Sequence, residues 1–352
     1  MKITLSELYF YLTKGCNLAC RHCYLPKNYD PKGDKYPILD IETIKKIIFE
    51  AKPLGLKGVK LTGGEPFTHP RIIDIIGFIN SEKLFLSIET NGLVCSKDIV
   101  ETISKSEDVF VSVSLDGAKS QTHDWIRGIK GSFDSACNTI RMLCDAGVHP
   151  QVIFSVMRKN SNEIYDFIKL NEDLGTKSIK INIVQPTARG KNLHEMNETL
   201  SISELIEFGN TLYIEFQPKT KIPLYFDYPI AFRPLSLLST NMNVCSIHNI
   251  LGVLPTGEYA LCGIGEQIPE LTFGVAGRDS LEKIWNEHPV LLKIRSGIPN
   301  HLQGICSKCL LKSKCLGACI AQNYYRKHDL TSPFWFCEMA EQQGLFPPSR
   351  LL

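Results

Sequence analysis

The sequence lacks long hydrophobic runs and any strong excess of charge. No stretch approaches the roughly eighteen apolar residues that predict a membrane-spanning helix, and residues 1–5 do not form the hydrophobic region of a signal peptide. The formal net charge is only +2, so no basic field indicates nucleic-acid binding. We therefore expect a cytoplasmic protein whose partners include neither a membrane nor a nucleic acid.

Cysteine, by contrast, is abundant. The 352 residues contain 13 cysteines, in a chain whose hydrophobic content of 43% suffices for an apolar core. A disulfide framework is not expected, because the chain is long and lacks an export signal. Ten cysteines fall into two groups, which favours metal or iron–sulfur ligation. The groups are Cys16, Cys20 and Cys23, and then Cys245, Cys262, Cys306, Cys309, Cys315, Cys319 and Cys337. Cys95, Cys137 and Cys144 lie singly and are expected to be small buried hydrophobes.

Residues 1–200 alternate strand and helix patterns. Period-two alternation predicts strands and apolar spacing of three to four predicts helices, which gives six β/α repeats of about thirty residues each. Such repeats are typical of a parallel sheet with right-handed crossovers, so the predicted class is α/β. Residues 201–244 carry many prolines around one helix and are predicted to be a connector. Residues 245–352 are rich in cysteine with little periodicity, so they would need metal centres to fold.

The amino-terminal cysteines follow the first predicted strand with the spacing C-x3-C-x2-C. Structural zinc sites usually take four protein ligands, and the ferredoxin run is C-x2-C-x2-C-x3-C, so neither fits. Three thiolates on a four-iron cluster leave one iron free to chelate an amine and a carboxylate. The loop resembles that of the radical S-adenosylmethionine (SAM) superfamily.

This resemblance implies a fold, a cofactor set and a chemistry. Residues 1–200 would form a partial (β/α)6 TIM-like barrel, and Cys16, Cys20 and Cys23 would hold a [4Fe–4S] cluster whose open iron binds SAM. The cluster would cleave SAM reductively to a 5′-deoxyadenosyl radical, which abstracts hydrogen from a substrate. A flavodoxin- or ferredoxin-type protein would donate the electron.

Further residues resemble SAM contacts of that superfamily. Gly63-Gly64-Glu65-Pro66 follows the second predicted strand and resembles the GGEP motif that holds the SAM amino group. The active site of a barrel lies at the carboxyl ends of its parallel strands, so residues that follow strands three and four are also candidates. The other expected SAM contacts are His22 near adenine, Asn91, Ser114, Asp116 and, near the SAM carboxylate, Arg127. The structural alternatives are an ordinary strand-ending turn for Gly63–Pro66, a surface or capping role for Asp116 or Arg127, and a solvated loop position for His22.

The carboxyl-terminal cysteines resemble the SPASM extension of radical SAM enzymes. Their order is C-x11-G-x4-C, then C-x2-C-x5-C-x3-C, then a last cysteine. The resemblance makes residues 245–352 a SPASM domain with two auxiliary [4Fe–4S] clusters, three clusters in all. The outer one would take Cys306, Cys309, Cys315 and Cys337, and the inner one Cys245, Cys262 and Cys319. The fourth inner position would be open, bound by water or substrate, or taken by another side chain, for which His248 is the nearest candidate.

The resemblance implies an enzyme that modifies a peptide or protein through a crosslink, a thioether or an epimerisation. The alternatives are a decarboxylase-like enzyme of the tetrapyrrole or heme pathway, and a non-enzymatic iron–sulfur electron-transfer or scaffold protein. Many sulfatase maturases carry an aspartate directly after the cysteine that corresponds to Cys262. Gly263 occupies that place here, which counts against formylglycine formation.

The substrate-recognition and acid–base groups are not assigned by the sequence. Only fifteen residues precede Cys16, so we expect leader binding elsewhere in the chain, by a separate leader-binding protein, or no leader at all. Four tail residues are candidates to face the site, although each is more often structural than catalytic. They are Tyr259, His301, Tyr324 and Tyr325.

Overall fold

The computed structural model describes residues 3–26, 28–238 and 245–352. Seven parallel strands lie side by side in chain order. They are β1 Glu7–Tyr11, β2 Gly58–Thr62, β3 Phe85–Thr90, β4 Val109–Ser114, β5 Gln151–Val156, β6 Ser178–Ile183 and β7 Leu224–Asp227. Parallel neighbours require crossover connections, and helices supply them. These helices are α1 Ile41–Ala51, α2 Ile72–Ser81, α3 Lys97–Ser104, α4 Ser120–Arg127, α5 Ser132–Asp145, α6 Ile164–Leu174, α7 Ala188–Glu195 and α8 Ile202–Thr211. The six predicted β/α repeats and the α/β class are confirmed.

The two faces of the strands differ in chemistry. In β1, Leu8 and Phe10 are fully buried in the main apolar core, where the helices pack. The helices present matching stripes, and α1 buries Ile44, Ile47 and Ile48 on one side. Asp40 begins α1 by accepting a hydrogen bond from the Thr43 amide. The core therefore lies between the sheet and its outer helices, which leaves the opposite face of the sheet free for polar side chains.

The polar face encloses a cavity. The sheet is open, with β7 at one edge, yet side chains from β1 through β7 line the same space of about 650 Å³. The sheet therefore curves into a partial barrel around that space. The strand residues lining it include Tyr9, Lys60, Ser87, Glu89, Ser112, Gln151, Ile153, Lys180, Tyr225 and Asp227.

Residues beyond the predicted barrel extend the same sheet. Strand β8, Ile250–Val253, pairs in parallel with β1, and β9 Glu258–Ala260 and β10 Thr272–Val275 follow in antiparallel order. Short helices complete the carboxyl-terminal segment: α9 Leu281–Glu287, α10 Pro289–Gly297, α11 Gly304–Lys308, α12 Lys312–Cys315, α13 Ile320–Lys327 and α14 Trp335–Gln342. None of the described helices combines the length and the apolar character needed to cross a membrane.

The predicted connector contributes to the fold. Ser201 and Glu204 form a capping box at the start of α8, and β7 then pairs with β6. Leu224 and Phe226 are buried while Tyr225 and Asp227 point to the other face. This alternation covers only four residues in a proline-rich stretch, so it gave little signal in the sequence. The predicted connector thus contributes one strand to the sheet, and the domain limits at 200 and 245 stay a prediction.

Candidate active site

The amino-terminal cysteines occupy the loop after the carboxyl end of β1. Burial, followed by the proximity of the Cys20 thiol, raises the pKa of Cys16, and burial likewise raises the pKa of Cys20. Backbone amides already point at the sulfurs: Leu18 N lies 3.5 Å from Cys16 Sγ and Leu25 N lies 3.4 Å from Cys23 Sγ. Clustered buried thiols with amide donors suit an iron–sulfur cluster, whose iron supplies the positive charge that thiolates need.

The Gly63–Glu65 turn packs directly on this loop. The Gly64 amide donates to the Thr13 carbonyl at 2.7 Å, and the Glu65 amide donates to Thr13 Oγ1 at 3.0 Å. A Cβ atom on Gly64 would lie 1.8 Å from the Gly15 carbonyl oxygen. Glycine is therefore required here because two backbone segments meet.

Glu65 is fixed at the floor of the site. It is 1% exposed, and its carboxylate accepts hydrogen bonds from Thr90 Oγ1 at 2.7 Å, from Asn91 N at 2.8 Å and from Phe67 N at 3.0 Å. Burial nevertheless outweighs these donors and raises the pKa of Glu65 to about 7. A cationic ligand such as an ammonium group would favour the ionised carboxylate.

Asp116 and Arg127 form a buried ion pair beside the cysteine loop. Arg127 Nε lies 2.7 Å from Asp116 Oδ2, and Arg127 Nη1 lies 3.6 Å from Cys20 Sγ. Burial alone would raise the pKa of Asp116, but the Arg127 guanidinium and two nearby histidines lower it. Asp116 Oδ1 also accepts from the Ser155 amide at 2.7 Å. Asp116 thus lies behind Arg127, where it orients the guanidinium, rather than in the wall of a cavity.

A cavity of about 210 Å³ opens at the carboxyl ends of the strands. It contains ten of the twelve residues predicted for the amino-terminal cluster and SAM, namely Cys16, Cys20, His22, Cys23, Gly63, Gly64, Glu65, Asn91, Ser114 and Arg127. The remaining two, Pro66 and Asp116, support its wall from behind. Glu89 and Ile153 line this cavity and also the larger one inside the sheet. We call the two spaces the cofactor cavity and the inner cavity; they adjoin each other.

His22 is neutral in this setting. Burial lowers its pKa to about 4, despite an Asp116 carboxylate oxygen 3.8 Å from His22 Nε2. His22 Nδ1 is buried and has no hydrogen-bond partner within the described ranges. An unpaired ring nitrogen bordering a cavity fits contact with a ligand better than a solvated loop position.

The outer group of tail cysteines converges as predicted. Cys306, Cys309 and Cys337 are buried, and together with Cys315 they surround one small apolar space. Burial and, to a smaller extent, neighbouring thiols together raise the pKa of Cys306 to about 11 and that of Cys315 to about 12. The structure thus brings these four cysteines together, and their role as ligands of an outer cluster stays a prediction.

The inner group also comes together. Burial raises the pKa of Cys319, followed by the proximity of Cys262 and Cys245. Cys245 and Cys319 line the inner cavity, so this group faces the polar interior of the sheet. His248 lies instead against α10, near Ile294 and Arg295. In the described part of the chain, no three His, Cys, Asp or Glu side chains are arranged to hold a single metal ion. A four-iron cluster does not require that arrangement, because it takes each thiolate on a different iron.

The position after Cys262 has no room for a side chain. A Cβ atom on Gly263 would lie 2.3 Å from the Tyr11 ring. Tyr11 projects from β1 and is 6% exposed. The absence of an aspartate at position 263 therefore has a structural reason, because the Tyr11 ring occupies the space where that side chain would begin.

Comparison with known proteins agrees with this geometry. Residues 10–174 match the Radical SAM superfamily. These residues are a radical SAM domain. The antilisterial bacteriocin subtilosin biosynthesis protein AlbA of Bacillus subtilis is 29% identical over 327 residues, which cover 91% of this chain and 69% of AlbA. An AdoMet-dependent heme synthase of Methanosarcina barkeri is 27% identical over 340 residues, which cover 93% of this chain and 94% of the synthase.

A solved structure extends the likeness to the tail. Streptococcus suis SuiB, crystallised with the precursor peptide SuiA, aligns with a TM-score of 0.75 at 17% identity, covering 96% of this chain and 76% of SuiB. The fold shared with SuiB includes the segment that follows the radical SAM domain. The predicted superfamily and fold class are confirmed.

The sequence did not single out several residues of the cofactor cavity. Tyr24, Ser155, Asn182 and Arg189 line it. Ser155 and Asn182 lie near the carboxyl ends of β5 and β6, so the strand-end rule that selected Ser114 would also have selected them. Arg189, in the first turn of α7, had no comparable signal.

The cofactor cavity of the radical SAM domain fits SAM. Beside the three thiols it offers a fixed carboxylate at Glu65, and His22 Nδ1 and Asn182 Oδ1 are buried without hydrogen-bond partners in the described residues. SAM carries an ammonium, a carboxylate and hydrogen-bonding adenine and ribose groups, which match donors and acceptors of these kinds.

Proposed function

We propose that this chain cleaves SAM reductively and uses the product to abstract hydrogen from a peptide or protein. The observation that carries the proposal is the adjacency of two cavities. The cofactor cavity is bordered by Cys16, Cys20 and Cys23, and it adjoins an inner cavity that is large enough for part of a substrate. SAM and its cluster, when bound, supply a carbon radical able to remove an unactivated hydrogen.

The protein's own residues bind, orient and exclude water. Cys16, Cys20 and Cys23 would hold the cluster, and Glu65 would accept hydrogen bonds from the SAM ammonium while Thr90 and the Asn91 amide keep its carboxylate in place. Asn91, Ser114 and Arg127 would complete the contacts, with Asp116 holding Arg127. The curved sheet shields the interior, which protects a radical from solvent.

The tail would carry two further [4Fe–4S] clusters, on the outer and inner cysteine groups. The inner group has three cysteines and borders the inner cavity through Cys245 and Cys319. An open position on that cluster would face the substrate. A flavodoxin- or ferredoxin-type donor, a separate leader-binding protein and a cytoplasmic location belong to the same proposal.

Two relatives support a peptide substrate. AlbA is named for bacteriocin biosynthesis, and SuiB was solved with a precursor peptide. A tetrapyrrole is the second candidate, because the heme synthase matches this chain over nearly the whole length of both proteins.

The test is reductive SAM cleavage by anaerobically reconstituted protein. Dithionite and SAM should give 5′-deoxyadenosine, and Cys20→Ala should abolish it. Cys137→Ala is the matched control, since Cys137 is buried in α5 and belongs to neither cysteine group. Intact SAM with fully loaded protein would leave only an electron-transfer or scaffold role.

The substrate class is tested in the same reaction. The peptides encoded beside the gene, and separately a decarboxylatable porphyrin precursor, are added and their masses compared before and after. A mass change confined to the porphyrin would refute the peptide proposal.

A further inference from the structure

Arg189 is an unsatisfied cation in the wall of the cofactor cavity. Its Nε and Nη1 atoms are buried and have no hydrogen-bond partner within the described ranges. The cavity has two other fixed cations: Lys14, which pairs with Glu266 at 2.9 Å, and Arg127, which pairs with Asp116. No ion pair of Arg189 occurs in the described parts of the chain. Because two buried guanidinium nitrogens without an acceptor are costly, this arrangement favours an anionic ligand.

The chain holds Arg189 there through an unusual turn. Ala188 has φ of +45°, which costs energy for a residue with a side chain. Gly190 is required beside it, because a Cβ atom would lie 2.2 Å from the Gln185 carbonyl oxygen. Trp335 of α14 then donates from Nε1 to Gln185 Oε1 at 2.8 Å. The Gln185–Gly190 turn is therefore fixed from both the barrel and the tail.

This turn lies at the junction of the two cavities. Gln185 lines the inner cavity, whereas Arg189 lines the cofactor cavity. A ligand group held by Arg189 would consequently stand where the substrate must pass to reach SAM.

The inner cavity continues the positive charge. Two ion pairs cross its wall: Lys60 with Glu89 at 2.9 Å, and Lys180 with Asp227 at 3.5 Å. The same wall has two additional cations, Lys177 and Arg233. Neither has a carboxylate within ion-pair distance among the residues that the structure describes. Arg233 Nη2 donates to the carbonyl oxygens of Phe226 at 3.2 Å and Tyr228 at 3.4 Å, which are neutral acceptors. A substrate carboxylate would add charge-assisted hydrogen bonds to these cations, which an apolar substrate would not.

We propose that Arg189 binds a carboxylate of the substrate at the junction of the two cavities. The planar guanidinium can bind both carboxylate oxygens at once. The inference deepens the proposed function and rests on it, since it requires SAM in the cofactor cavity. An acidic side chain and a free carboxyl terminus are the two sources of such a group in a peptide.

The test measures binding of small probes to cluster-loaded protein saturated with S-adenosylhomocysteine. Three probes are compared by equilibrium dialysis: N-acetylglutamate α-amide carries only a side-chain carboxylate, N-acetylglutamine carries only a terminal carboxylate, and N-acetylglutamine amide carries none. One of the first two should bind about tenfold more tightly than the third. Whichever of the first two binds identifies the source as a side chain or a terminus. Arg189→Gln should erase the preference and Arg189→Lys should keep part of it. Lys191→Gln, on the exposed side of α7, should keep all of it.

Each other outcome decides against the inference. Equal binding of all three probes to the wild type, or an unchanged preference in Arg189→Gln, overturns it. A tenfold loss of S-adenosylhomocysteine binding in Arg189→Gln, with decarboxylated SAM unaffected, assigns Arg189 to the cofactor's carboxylate and overturns it also. Failure of the wild type to bind S-adenosylhomocysteine refutes the proposed function itself, which distinguishes the two failures.

Discussion

Replacing Gly64 by alanine tests whether the Gly63–Glu65 turn packs as closely against the cysteine loop as the structure shows. The added Cβ would lie 1.8 Å from the Gly15 carbonyl oxygen, whereas ordinary contacts of such an atom begin at 3.4 Å. One of the two segments must therefore move by more than 1 Å. Because Gly15 precedes Cys16 directly, the movement displaces a proposed cluster ligand and the Glu65 carboxylate together. Overpacking of this kind costs about 1–3 kcal/mol or more.

The measurements are far-UV circular dichroism, iron content and binding of S-adenosylhomocysteine. We expect Gly64→Ala to retain its helix and strand content but to lose binding by at least about 100-fold, since misplacing a charge-assisted contact removes about 3 kcal/mol or more. Gly77→Ala is the control: no atom lies within 4 Å of its added Cβ, and it sits inside α2, so it should gain about 0.5–1 kcal/mol. Wild-type affinity in Gly64→Ala would refute the described packing.

Three further predictions concern Glu65, Asp116 and the outer group of tail cysteines. Because the pKa of Glu65 is raised to about 7, SAM binding through its ionised form should weaken up to about tenfold per pH unit below 7 and level off above it; an unchanged profile in Glu65→Gln contradicts this. Asp116→Asn should cost about 3–5 kcal/mol in urea unfolding, because Arg127 stays buried without a counter-charge, and a loss below 1 kcal/mol would contradict the ion pair. Cys306→Ala should lower iron from about twelve to about eight atoms per chain, while Cys137→Ala should leave it unchanged.

The sequence predicted the parts of the site that depend on local spacing. The three amino-terminal cysteines are a few residues apart on one loop, and Glu65 lies in the turn after a short strand, so each could be placed without knowing the rest of the fold. The outer and inner tail groups were likewise assigned by spacing and resemblance. Their grouping in space agrees with that assignment, although Cys245 and Cys319 are 74 positions apart in the chain.

Residues whose role depends on distant contacts could not be placed in this way. Asp116 was expected to contact SAM or to serve as a cap, and its pairing with Arg127, at the end of the next helix, was not predicted. Strand β7 escaped detection because only four residues alternate. Arg189 gave no pattern at all, since its significance comes from the absence of a partner in the folded chain.

In the proposed function, the side chains that line the interior of the sheet, rather than the cysteines, are the groups that would select the substrate. In that proposal the cysteines and Glu65 bind the cofactor, and the same set would serve many reactions. Tyr11 excludes a side chain at position 263, so an acid–base group cannot be placed beside Cys262 in the way that the sulfatase maturases suggest. The charges that remain accessible are those of the inner cavity and of Arg189. Since a radical abstracts hydrogen from the carbon that is held nearest to it, we expect these charges to select the reaction by selecting which substrate group is held.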